Sequence, residues 1–142
     1  MNRNVWITSV LVCLQFFVFL KLQAAAADPV LKEIIFEKTS SNEERVFLVL
    51  NGEYLPETFG MEGKRLRLVC DFADMQLGEG VRPVIKTGGD LIKRVRVGLH
   101  QSPAPKVRVV LDLATGHDYD VQQRFFERER VYSITVKTER NP

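Results

Sequence analysis

From residue 30 onward, apolar and polar positions alternate with a period of two, while the 3.6-residue period of a helix is weak. Turn-forming clusters rich in Gly, Pro, Asn and Asp punctuate the alternation. The pattern predicts strands at 30–36, 45–50, 64–72, 91–99, 106–113, 119–124 and 130–137. Residues 54–62, with Pro56 and Gly60, read as a loop or short strand, and the glycine-rich segment 78–89 holds a short run at 84–86. A polar turn is expected at 38–44. Seven or eight strands joined by short turns predict an all-β fold, a sandwich or barrel.

An internal echo favours the sandwich. Arg-Val-Phe-Leu-Val-Leu-Asn-Gly at 45–52 resembles Lys-Val-Arg-Val-Val-Leu-Asp-Leu at 106–113. Residues 64–69 resemble 129–134, and each is preceded in its half by a further strand, at 31–36 and 91–96. The same order thus occurs twice, about 60 residues apart. It predicts two similar small sheets facing each other, their apolar faces forming the core.

The start of the chain breaks the pattern. Arg3 precedes a mostly apolar run at 5–20, then Lys21 and the alanines Ala24 to Ala27. A basic start, a short apolar core and small residues at a cleavage site describe a secretory signal. The run is shorter than the roughly 20 residues that span a bilayer and holds Thr8, Ser9 and Gln15. Cys13 follows Val12 inside the run, the wrong place for a lipid-modified cysteine. The expectation is a signal peptide at 1–27, cut after Ala26 or Ala27, no stable membrane anchor afterwards, and one domain at 28–142.

Removal of that segment changes the charge. The chain has 20 Lys+Arg and 18 Asp+Glu. Losing Arg3 and Lys21 leaves the domain formally neutral, so global charge gives no case for nucleic acid. Cys70 then remains without a disulfide partner, and alternation sets it with Leu66, Leu68 and Phe72 on an apolar face, as a small buried hydrophobe.

The same alternation sorts the cations. Arg65 and Arg67 point away from the apolar set of their strand, as do Arg94 and Arg96 with Ile92, and Lys106 and Arg108 with Val110 and Asp112. Arginine forks suit carboxylates and phosphates. Paired cations on three strands therefore form either a surface for an extended anionic polymer or an ordinary solvated face that discourages edge pairing.

Catalytic and cofactor signatures are missing. No nucleophile elbow, phosphate loop, zinc-protease motif or calcium loop occurs. His117 lies among Asp118, Tyr119 and Asp120 in a stretch that reads as a turn rather than a metal site. The expectation is no enzyme, no cofactor and no metal.

The segment 91–98, the spacer, the strand 106–113 and Tyr119-Asp120-Val121 resemble the AMIN domain family. Residues 65–71, Arg-Leu-Arg-Leu-Val-Cys-Asp, resemble that family's strand ending in an aspartate. The resemblance covers nearly all of 30–137. It implies a sandwich of two similar sheets and a periplasmic, non-catalytic domain that binds peptidoglycan and targets cell-wall amidases or type IV pilus secretins. Arg94, Arg96 and Arg108 match the exposed arginines that contribute in the family, with Arg65 and Arg67 beside them as ligand-binding residues. The chain departs from the family's usual setting by stopping at Pro142, with no amidase or secretin region. The alternative expectation is therefore a protein–protein adaptor in a pilus, secretin or division assembly, using a strand edge for β-augmentation.

Overall fold

The computed structural model describes residues 26–138, so the expected export signal lies outside the described residues except for Ala26 and Ala27, both exposed. Among the described residues ten strands form two five-stranded sheets: β1 (Val30–Ser40), β2 (Glu43–Leu50), β3 (Glu57–Met61), β4 (Arg67–Ala73), β5 (Gln76–Leu77), β6 (Val84–Lys86), β7 (Ile92–His100), β8 (Lys106–Leu113), β9 (Tyr119–Phe126) and β10 (Val131–Thr138). The order is β5-β1-β2-β10-β9 in the first sheet and β3-β4-β8-β7-β6 in the second. The all-β sandwich of two similar sheets is therefore what the molecule adopts.

The seven or eight expected strands become ten because three short ones form at or beside sheet edges. The 54–62 segment supplies β3, the run at 84–86 is β6, and β5 pairs in parallel with Val30 and Leu31. Gly78 lets the chain after β5 lie against β1: its N–H donates to the Leu31 carbonyl at 2.8 Å, and a Cβ there would stand 2.9 Å from that oxygen. The polar turn shrinks to Ser41 and Asn42, because β1 and β2 keep pairing out to Ser40 and Glu43.

The repeat acquires a specific meaning. The β1–β2 hairpin pairs through β2 with β10, and the β7–β8 hairpin pairs through β8 with β4. Each half of the chain thus lends its first hairpin to one sheet and its second to the other. β2 and β8, the two most alike segments, occupy the centres of their sheets.

The core lies between the sheets. Val46, Leu48, Leu50, Tyr132, Ile134 and Val136 from the first meet Leu68, Cys70, Phe72, Val95, Val107, Val109 and Leu111 from the second. The rings of Phe72 and Tyr132 meet edge to face at 6.0 Å. Cys70 is fully buried, and burial pushes its thiol up to about 11, which leaves it inert as a nucleophile.

One buried carboxylate ties the sheets together. Glu44 shares parity with Val46, Leu48 and Leu50, so it points inward and is fully buried. It accepts the backbone N–H groups of Asp90 at 2.6 Å, Leu91 at 3.2 Å and Ile92 at 2.7 Å, at the start of β7. Gly89 is buried against it with no room for a Cβ. A bulge follows: Ile92 lies opposite Leu113 and Arg94 opposite Asp112, so Lys93 is the extra residue. The expectation that Ile92 points outward with Arg94 and Arg96 is thereby corrected. The bulge turns Ile92 into the core, where it is fully buried, and leaves both arginines outside.

Candidate binding face

The outward face of the second sheet gathers the chemistry. Strand register places its side chains in rows running across the sheet. One row reads Met61, Arg67, Asp112, Arg94 and Lys86 from β3 to β6. The next reads Phe59, Val69, Val110, Arg96 and Val84, and a third Glu57, Asp71, Arg108 and Gly98. The expected outward placement of Arg67, Arg94, Arg96 and Arg108 holds, whereas Arg65 sits exposed just before β4.

Two aspartates organise this face, and both are buried, Asp71 at 7% and Asp112 at 3% exposure. Asp112 takes Arg96 in a two-toothed grip, Nη2 to Oδ1 at 2.7 Å and Nε to Oδ2 at 2.9 Å, while Arg94 donates its Nε to Oδ2. Asp71 takes Arg108 in the same way, at 2.7 and 2.8 Å, and Lys106 at 2.9 Å. The Arg108 guanidinium lies 5.7 Å from the centre of the Phe59 ring.

The electrostatics follow from these contacts. Arg108 outweighs burial and, with Lys106, holds the Asp71 carboxyl down at about 2. At Asp112, burial pushes the carboxyl up, but Arg96 and Arg94 together overcome it and hold it below the ordinary value. Asp71 in turn raises the Arg108 guanidinium. Both carboxylates are thus ionised at neutral pH, and each fixes two cations.

The five arginines singled out from the sequence therefore divide in two. Arg94, Arg96 and Arg108 are held by aspartates, with Arg94 and Arg96 still more than a third exposed. Arg65 and Arg67 have no acidic partner among the described residues. Alternation had already put Asp112 on this face; what it does not reveal is that the carboxylate is clamped.

Three hollows mark the face; one of about 400 Å³ lies beyond Arg65, Arg94 and Asp112, and the other two adjoin each other. A groove of about 480 Å³ runs over Val69 and Val110, flanked by Met61 and Val84 and bounded by Arg67, Arg96 and Arg108. A smaller pocket of about 260 Å³ adjoins it through Arg67 and Arg96, and is completed by Lys64, Arg65, Arg94 and Asp112. Apolar floor and cationic walls together suit a chain that carries both aliphatic surface and anionic groups. Among the described residues no group of three or more His, Cys, Asp or Glu could hold a metal ion.

The described residues thus form a two-sheet β-sandwich whose second sheet carries arginines held on buried aspartates. The family model for the AMIN domain matches residues 33–136, and the chain belongs to that family. AMIN domains are non-catalytic, periplasmic, peptidoglycan-binding modules of envelope proteins. No curated protein matches the chain.

Proposed function

We propose that this protein is a non-catalytic periplasmic module that binds peptidoglycan through the outer face of its second sheet. The observation that carries the reading is the groove over Val69 and Val110, bounded by Arg67, Arg96 and Arg108. Peptidoglycan is a glycan bearing peptides with carboxylates, so it offers apolar sugar and side-chain surface alongside anions. Asp71 and Asp112 orient three of the arginines before any ligand arrives, which lowers the entropy lost on binding. Family membership supports the ligand class, and the signal-like residues 1–27 support delivery to the periplasm.

A pull-down with purified sacculi tests this. At low salt the protein sediments with sacculi, and changing Arg94, Arg96 and Arg108 to Ala together releases it. Wild-type protein left in the supernatant would sink the reading.

A second reading, an adaptor in a pilus, secretin or division assembly, is favoured by one observation. Among the described residues β9 has β10 as its only strand neighbour, which leaves its other side an edge eight residues long. Crosslinking in cells then captures one dominant envelope partner through β9; capture of none counts against it.

A further inference from the structure

We infer that the pocket of Lys64, Arg65, Arg67, Arg94 and Arg96 is an oxyanion seat, anchoring the wall polymer by a carboxylate or phosphate rather than by sugar hydroxyls. The inference rests on the wall-binding reading above and names the group that anchors it.

The pocket holds about 260 Å³, room for one such anionic group and its nearest carbons. Five cations line it against a single carboxylate, Asp112. That carboxylate is already engaged: Oδ1 accepts from Arg96, and Oδ2 from both Arg96 and Arg94. It neutralises one charge and leaves four. Lys64, Arg65 and Arg67 make no ion pair or side-chain hydrogen bond among the described residues. Arg94 commits only its Nε, so both terminal nitrogens of its fork remain for a ligand.

Like charges gathered this closely repel, and an entering anion relieves that repulsion. A neutral hydroxyl cannot. Guanidinium forks also match the two oxygens of a carboxylate or phosphate. Because Arg67 and Arg96 line both this pocket and the groove, an anion seated here leaves the rest of its chain lying over Val69 and Val110.

The far end of the face contrasts with this. Lys106 and Arg108 share Asp71, and Glu57 stands opposite Asp71 in the same row, which leaves no excess charge, and Arg108 has both Nε and Nη2 committed. The anchor therefore lies at the Lys64 end.

The test uses sacculi that carry phosphodiester-linked polymers, in three forms: untreated, amidated at their carboxyl groups, and stripped of phosphodiester-linked polymer with hydrofluoric acid. Wild-type protein binds untreated sacculi. Binding falls at least tenfold on amidated sacculi if carboxylate is the anchor, or on stripped sacculi if phosphate is. Unchanged binding after both treatments overturns the oxyanion seat while wall binding stands; no binding to untreated sacculi overturns both. Arg65→Gln with Arg67→Gln weakens binding to untreated sacculi at least tenfold, at an unchanged thermal midpoint. Lys64→Gln, in an exposed position, weakens it about threefold. Wild-type binding by the double variant overturns the proposal.

Discussion

β2 and β8 lie at the centres of their sheets, each the second strand of a long hairpin, yet they present different chemistry to solvent. β2 turns out Arg45, Phe47 and Val49, whereas β8 turns out Lys106, Arg108, Val110 and Asp112. Their hairpin partners diverge likewise. Opposite Val49 stands Glu33, and opposite Val110 stands Arg96; opposite Phe47 stands Ile35, and opposite Arg108 stands Gly98. The first sheet thus carries an apolar stripe of Ile35, Phe47, Val49, Val131 and Phe126 edged by Glu33, Glu37, Asp120 and Arg124, with one clamp of its own, Glu43 holding Arg45 and Lys137. The second carries cations clamped on buried aspartates. Strand pairing decides which positions face outward and is indifferent to what occupies them. One scaffold, used twice, therefore presents two different outer faces.

The contrast can be broken first where the two sheets are joined. Glu44→Ala leaves three backbone N–H groups at the start of β7 without their acceptor. Buried unsatisfied donors cost roughly 1–3 kcal/mol each, and some will find water, so about 3–5 kcal/mol of stability is lost in urea or thermal denaturation. A loss below about 1 kcal/mol would mean that Glu44 does not hold this junction.

Asp112→Asn probes the clamp itself. The equivalent place in the first hairpin is Asn51, whose side chain instead accepts the Val30 N–H and donates to the Asp28 carbonyl. An amide cannot replace both carboxylate oxygens, so Arg94 and Arg96 lose their charge-assisted bonds at a cost of about 2 kcal/mol. A fall in the denaturation midpoint with the sheet signal retained in circular dichroism is the expected outcome.

Acid tests the other clamp without mutation. Asp71 is held down to about 2 in the folded state, against an ordinary value near 3.8. A depressed carboxyl stabilises the fold above its unfolded value and loses that contribution as pH falls through the folded one. Stability should therefore be flat down to about pH 4 and drop by about 1–2 kcal/mol toward pH 2, after allowance for the partly exposed Lys106 and Arg108. Asp71→Asn should flatten that part of the pH profile; an unaltered profile would remove Asp71 as its source.

The smallest effect is expected on the first sheet. Phe47→Arg gives β2 the residue that β8 carries at the equivalent place, yet Glu33 still stands where the second sheet has Arg96. Stability should change by less than about 1 kcal/mol, and sedimentation with sacculi by less than twofold. A large gain in wall binding would show that a single cation suffices and that the clamped arrangement is unnecessary.

Much of this was legible from residue order. Period-two alternation located the long strands, the 45–52 and 106–113 echo anticipated two similar sheets, and the parity of Arg67, Arg94, Arg96 and Arg108 put them outside. Glu44 was legible too, since it shares parity with Val46, Leu48 and Leu50; its polar neighbours Ser41, Asn42 and Glu43 masked that signal behind an expected turn. Ile92 was not, because strict alternation carries it outward and the Lys93 bulge reverses it.

What residue order determined, then, is local: which side chains share a face of one strand, because a pleated chain alternates whatever its neighbours are. What only the tertiary structure decided is which strands meet. Placing β4 beside β8, and β8 beside β7, brings Asp112 within reach of Arg94 and Arg96, and Asp71 within reach of Arg108. These pairs lie 16 to 37 residues apart in the chain, so no local rule could assign them. The same placement leaves Arg65 and Arg67 without an acidic partner among the described residues, because burial and pairing energies act through space rather than along the sequence.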